Sequence, residues 1–102
     1  MNMQSMLKQA KKMQAQLAEV QDGLKDVTVE ATAGGGMVKA VMSADGDLKS
    51  LTIDPSALDP DDVELLQDMI VAAVNEASRN AQEVANQRMS SVTGGFNIPG
   101  LM

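Results

Sequence analysis

Residues 26–53 read DVTVEATAGGGMVKAVMSADGDLKSLTI, and the alternation in this stretch decides the fold. In its first part Val27, Val29, Ala31 and Ala33 alternate with Thr28, Glu30 and Thr32, the period of two expected of a half-buried strand. Gly34-Gly35-Gly36 interrupts the pattern. It resumes over Met37–Ser43, with Val38, Ala40 and Met42 on one side and Met37, Lys39 and Val41 on the other. Because this second strand is apolar on both sides except at Lys39, both of its faces are expected to be covered. Asp45-Gly46 is a hairpin-turn signal, Leu48–Ile53 is a third strand, and Asp54-Pro55 ends it. Three consecutive strands joined by short turns predict an antiparallel meander.

Toward the N-terminus the period changes. Met3, Met6, Ala10, Met13, Leu17, Val20 and Leu24 recur with alternating steps of three and four, a heptad seam. The spacing predicts a helix from residue 2 or 3 to Asp22, with Gly23 as its stop. A single helix with so narrow a stripe is only marginally stable and requires a partner.

On the C-terminal side, Asp59-Pro60-Asp61-Asp62 carries the signals of a helix start. Asp59 is the expected N-cap, Pro60 the first helical residue, and the acids favour the positive end of the dipole. Nothing then breaks the helix before Gly94, giving roughly 30 residues and about 45 Å. From Val63 to Val74 it is apolar nearly all round, which suits packing on the sheet and at a subunit contact. Farther on the stripe narrows to Ala77, Ala81, Val84, Ala85 and Met89, small residues expected to let the N-terminal helix approach closely. The predicted architecture is α+β, in the order α-β-β-β-α: a three-stranded antiparallel meander with two long helices pairing into a projecting arm. Residues 1–93 are read as one domain and residues 94–102, with Gly94, Gly95, Pro99 and Gly100, as a flexible or loosely docked tail.

Composition limits the chemistry. The 102 residues include no Cys, His, Trp or Tyr and one Phe, Phe96, so the core must come from aliphatic side chains and nine Met. Without His, Cys or Tyr no nucleophile–base pair can be assembled, and an enzyme is not expected. The glycine triplet lacks the spacing and the following Lys-Ser/Thr of a phosphate loop and leads into a strand. Asp45-Gly46-Asp47 lacks the rest of a twelve-residue calcium loop. The Asp59–Glu64 carboxylates sit where capping acids belong. No metal, cofactor or small-molecule substrate is expected. No apolar run approaches the ~20 residues that span a bilayer, and the absence of Cys fits a reducing cytosol. A soluble cytoplasmic protein is the expectation.

Charge is unevenly distributed. The formal net charge is −6, yet residues 1–18 carry three Lys and no acid, whereas residues 45–68 carry eight acids against Lys49. Lys8, Lys11 and Lys12 stand at i, i+3 and i+4 opposite the apolar seam, where like charges repel by roughly 0.2–0.5 kcal/mol per pair. Two readings follow: a solvated face, or a phosphate contact at the end of an arm. Arg79 lies opposite the apolar stripe of the last helix; Arg88 lies on or beside it. Stacking on single-stranded bases is not expected, because there is almost nothing aromatic to stack on. A three-stranded sheet is thin cover for a core, which predicts a homodimer through the sheet region.

Three stretches together resemble the YbaB/EbfC family of small bacterial nucleoid-associated proteins. They are Met6-Leu7-Lys8-Gln9-Ala10-Lys11-Lys12-Met13-Gln14; Gly35-Gly36-Met37-Val38-Lys39-Ala40 with Leu51-Thr52-Ile53-Asp54-Pro55-Ser56; and Val71-Ala72-Ala73-Val74-Asn75-Glu76-Ala77 with Met89-Ser90-Ser91-Val92-Thr93-Gly94-Gly95. The resemblance implies a tweezer-like homodimer joined at the sheets and cytoplasmic, nucleoid-located binding of double-stranded DNA by helices at the projecting ends. Carried over by position, the DNA-contacting candidates are Lys8, Lys11 and Lys12, with Gln4, Gln9 and Gln16 as polar contacts, and Arg79 and Arg88 in the last helix. Residues 78–88 are nearly neutral, which departs from the more basic pattern of the family. The alternative is a protein–protein adaptor with weak or no DNA binding.

Overall fold

The computed structural model describes residues 2–94, with the order helix α1 (Met3–Leu24), strands β1 (Thr28–Ala33), β2 (Val38–Ser43) and β3 (Leu48–Ile53), and helix α2 (Val63–Gly94). The anticipated α-β-β-β-α chain is present. The expected tail beyond Gly94 lies outside the described residues. The sheet is antiparallel in the order β1-β2-β3. Gly34, Gly35 and Gly36, all at positive φ (64°, 68° and 95°), turn β1 into β2. An L-residue rarely adopts that conformation, which is why three glycines stand there.

Strand register explains the core. Ala31 pairs with Ala40, Ala33 with Val38 and Val29 with Met42; Val38 also pairs with Ile53 and Ala40 with Leu51. Partners in an antiparallel pair point to the same side, so one face gathers nearly all the aliphatic residues and the other carries Thr28, Glu30, Thr32, Lys39, Ser50 and Thr52. Helix α2 lies on the apolar face across β1 and β2. Its Ala73, Ala77 and Ala81 are buried with Ala31, Val38, Ala40 and Met42, and Leu66, Met69, Ile70 and Val74 pack around them. Alanines on both surfaces allow the helix to sit close to the sheet.

Four local expectations change. First, α1 passes through Gly23 to Leu24, which is buried, and Lys25 caps it in right-handed conformation; no left-handed residue is needed, so the glycine is no stop. Second, α2 begins at Val63 rather than Pro60. Asp59 instead accepts the Asp61 N–H (2.9 Å) in a preceding turn, and the Asp62 carboxylate accepts the Leu65 N–H (3.2 Å) as the actual cap. Third, the outer face of β2 is covered only at its end, at fully buried Ser43: Val38 and Ala40 on the helix side are fully buried, whereas Met37 and Lys39 are exposed and Val41 is half-buried. Lys39 finds Glu30 across the outer face at 3.2 Å. Fourth, Ala77 and Ala81 face the sheet and not α1. The small-residue stripe therefore serves close helix–sheet packing first, and α1 meets α2 only farther along.

The chain is elongated, about 70 × 26 × 16 Å. Among the described residues no helix is long and apolar enough to cross a membrane. On the helix side of the sheet β3 is left open: Leu48 is 46% and Leu51 37% exposed. Leu58, Val63, Leu65 and Val71 are also more than half exposed.

Candidate nucleic-acid interface

Helix α1 is started by Asn2, whose side chain accepts the Ser5 N–H at 2.8 Å. From this cap it runs 22 residues, about 33 Å at 1.5 Å per residue. Its C-terminal end lies beside that of α2: Glu19, Val20 and Gly23 share a groove with Arg88, Ser91 and Val92. Met13, Gln16, Leu17 and Val20 are half-buried, as are Val84, Ala85, Met89 and Val92 of α2. Residues 2–12 are all exposed, including Met3 and Met6 of the seam. Since α1 runs toward the sheet and α2 away from it, the two helices are antiparallel, and the first three turns of α1 project past the shared segment.

Lys8, Lys11 and Lys12 sit on this projecting part. All three are exposed, and among the described residues none forms an ion pair. At about 100° per residue they fall within an arc of about 100°, centred opposite the seam. Gln4 lies in the same arc and is exposed. Gln16 and Gln9 lie beyond its margin on one side, Gln9 exposed and Gln16 half-buried. The face ends toward the sheet at Glu19 and Asp22. The cationic surface is thus confined to the arm's outer part.

The two arginines occupy different places. Arg88 is brought to α1, in the groove with Glu19 and Val20. Arg79 is paired with Glu76 one turn earlier, and lies on a separate shallow groove formed by Gln82, Glu83, Asn86, Gln87 and Ser90 of α2. Nine residues apart, Arg79 and Arg88 point to opposite sides of the helix. Arg79 is not brought to the lysines. The outer amides Gln82, Asn86 and Gln87 are not among the residues singled out from the sequence; their shared face was discernible from i, i+4 and i+5 spacing.

The carboxylates at the other end are structural. Asp54 accepts both the backbone N–H (2.9 Å) and the hydroxyl (2.8 Å) of Ser56, and these bonds hold its pKa below the ordinary carboxylate value. Asp45 is lowered chiefly by the hydroxyl of buried Ser43 in the β2–β3 turn. Among the described residues no cluster of acids is arranged to hold a metal ion.

A small α-β-β-β-α chain with a compact acidic body and a projecting helical arm bearing unpaired lysines defines a class of non-globular, arm-presenting protein. The family model for the YbaB/EbfC DNA-binding family matches residues 1–96, and the chain belongs to that family. It is 52% identical over 100 residues to a nucleoid-associated protein of Thermoanaerobacter pseudethanolicus, covering 98% of this chain and 90% of that one. It is 53% identical over 100 residues to a nucleoid-associated protein of Desulforamulus reducens, covering 98% and 95%. A crystal structure of an uncharacterized protein from Helicobacter pylori has the same fold, with a TM-score of 0.77, 24% identity, and 95% and 99% of the two chains covered.

Proposed function

We propose that this chain is a non-catalytic, nucleoid-associated protein that binds double-stranded DNA as a homodimer, with the outer part of α1 on the phosphate backbone. The observation that carries the reading is the confinement of three exposed, unpaired lysines to the projecting turns of α1. The acidic residues 45–68 lie on the body of the molecule, so repulsion from a polyanion is concentrated away from the contact. Lysines are point charges that position phosphates and carry no base code, so binding is largely sequence-independent. Gln4, Gln9 and Gln16 add neutral hydrogen bonds along the same helix. Arg79 and Arg88 are secondary contacts, the first weakened by Glu76. Family membership and the nucleoid-associated relatives support the same reading.

The second copy is supported by the open helix-side face of β3 and by exposed Leu65 and Val71 on α2. A partner covering these residues would complete the two-layer core and set two arms on one particle. Residues 1–93 act in this reading as one folding unit. Replacing Lys8, Lys11 and Lys12 together by Ala abolishes a duplex mobility shift at low salt while the dimer persists. A triple variant that shifts duplex like the wild type overturns the assignment.

A further inference from the structure

Two exposed apolar features lie at opposite ends of the molecule. At the base of α2, Leu58, Asp59, Pro60, Val63 and Leu66 line a cleft in which Leu58 and Val63 remain 59% and 51% exposed. At the outer tip of α1, Met3, Met6 and Leu7 are 77%, 57% and 57% exposed. Charge follows the same division. Residues 54–68, which include the cleft, hold six acids, all exposed, and no Lys or Arg. Residues 2–12 hold three exposed Lys and no acid. At about 100° per residue Leu7 stands between Met3 and Lys11 on the circumference of α1, so the apolar strip of the tip borders its lysines. The cleft has the converse make-up: Asp59 is part of its lining, and Asp61, Asp62 and Glu64 adjoin it in the chain.

We propose that the cleft at the base of α2 receives the α1 tip of a second copy, with Met3, Met6 and Leu7 entering among Leu58, Pro60 and Val63 while Lys8 and Lys11 face Asp61 and Glu64. Charge complementarity selects this occupant. The acids around the cleft repel an anionic surface, and a neutral apolar peptide leaves them unanswered. The tip must come from another molecule. From Val63 to Val92 α2 advances about 43 Å, and from Val20, beside Val92, α1 projects about 21 Å farther out to Met6. Together these spans account for most of the 70 Å length of the chain. Tip and cleft are different surfaces, so the contact is heterologous and extends head to tail. It uses neither the open face of β3 nor Leu65 and Val71, and therefore adds to the proposed homodimer contact instead of replacing it. Lysines seated on carboxylates are withheld from other anions, so a duplex and a second copy compete for the same tip. The contact does not rest on the nucleic-acid reading and holds whether or not the tip meets DNA.

A contact this small and partly ionic is weak and salt-sensitive, which separates it from an apolar subunit contact. Light scattering is performed on the full chain at about millimolar concentration, the range of weak association. The average mass is expected to climb with concentration at about 10 mM salt and to return to a constant value at about 300 mM, as the screening length falls from about 30 Å to below about 8 Å. The high-salt mass is the baseline, so the reading is independent of whether the homodimer exists. A charge swap then identifies the surfaces. Lys8→Glu/Lys11→Glu and Asp61→Lys/Glu64→Lys each weaken the low-salt association by at least about tenfold. An equimolar mixture of the two variants regains it, because the tip of each then complements the cleft of the other. A wild-type mass that is the same at both salts overturns the proposal, and so does a mixture that stays as dissociated as its components. An Asp61→Lys/Glu64→Lys variant whose high-salt mass falls below that of the wild type also overturns it, by assigning the cleft to the subunit contact.

Discussion

Replacing Leu51 by Asp tests the proposed subunit contact at its most exposed structural weakness. Leu51 pairs with Ala40 and so points to the helix side of the sheet, but α2 crosses β1 and β2 and leaves it 37% exposed. Full burial of a leucine stabilises by about 1.5–3 kcal/mol. The unburied third therefore holds about 1 kcal/mol for a partner to claim. A twofold contact repeats every substitution, so the loss is about 2 kcal/mol per dimer, or roughly thirtyfold in the dissociation constant. The introduced carboxylate adds its own desolvation cost and moves the constant farther in the same direction. Sedimentation velocity across a concentration series reads this directly, with circular dichroism confirming the fold. The expected result is a wild-type dimer at micromolar concentration and a variant shifted toward the mass of one chain. A wild type that sediments as one chain refutes the argument from the open sheet face. So does a Leu51→Asp variant with an unchanged association constant.

Three other outcomes follow from local geometry. Asp62→Ala removes the cap of α2 and is expected to cost about 1 kcal/mol in urea unfolding, whereas Asp59→Ala costs less because its carboxylate bonds only a turn. A larger loss for Asp59→Ala returns the helix start to Pro60. The lowered pKa values of Asp54 and Asp45 mean that the folded state holds these carboxylates ionised more firmly than the unfolded chain does. Their stabilisation is complete above the ordinary carboxylate range and is lost as pH falls through the depressed folded values. NMR titration of the carboxyl carbons should find both below about 3.8, and Ser56→Ala should return Asp54 toward that value; an Asp54 titration unmoved by Ser56→Ala removes the stated cause.

How much of this was legible in the sequence depended on what each pattern encodes. Period two over residues 27–53 specified the strands and their inward faces, because side-chain alternation is a local property of the backbone. The α1 seam and its opposing lysines were legible for the same reason. The identity of the neighbour was not. Ala77 and Ala81 announced a close approach, but a stripe of small residues is equally suited to a helix or to a sheet lined with Ala31 and Ala40. Likewise Asp59-Pro60 and Asp62 both carry capping chemistry, and in the structure a turn closed by the Asp62 N–H on the Asp59 carbonyl (3.0 Å) precedes the helix and leaves the cap to Asp62. At the candidate site, exposure of Lys8, Lys11 and Lys12 could be read from their spacing. That Arg88 joins α1 while Arg79 turns to the opposite side depends on how the two helices lie against each other, which no single helix records.

The central claim is that a phosphate contact is made by the lysines of the projecting arm, and its most direct measurement is the salt dependence of duplex affinity. Three lysines on each of two arms give about six phosphate contacts, so log K should fall against log salt with a slope of about −5. Affinity should accordingly drop about a thousandfold between about 50 and 200 mM salt. The Lys8→Ala/Lys11→Ala/Lys12→Ala variant should bind far more weakly and with a much shallower slope, the remainder being what Arg79 and Arg88 supply. A triple variant that keeps the wild-type affinity and slope contradicts the account and moves the contact, if there is one, away from the N-terminal helix.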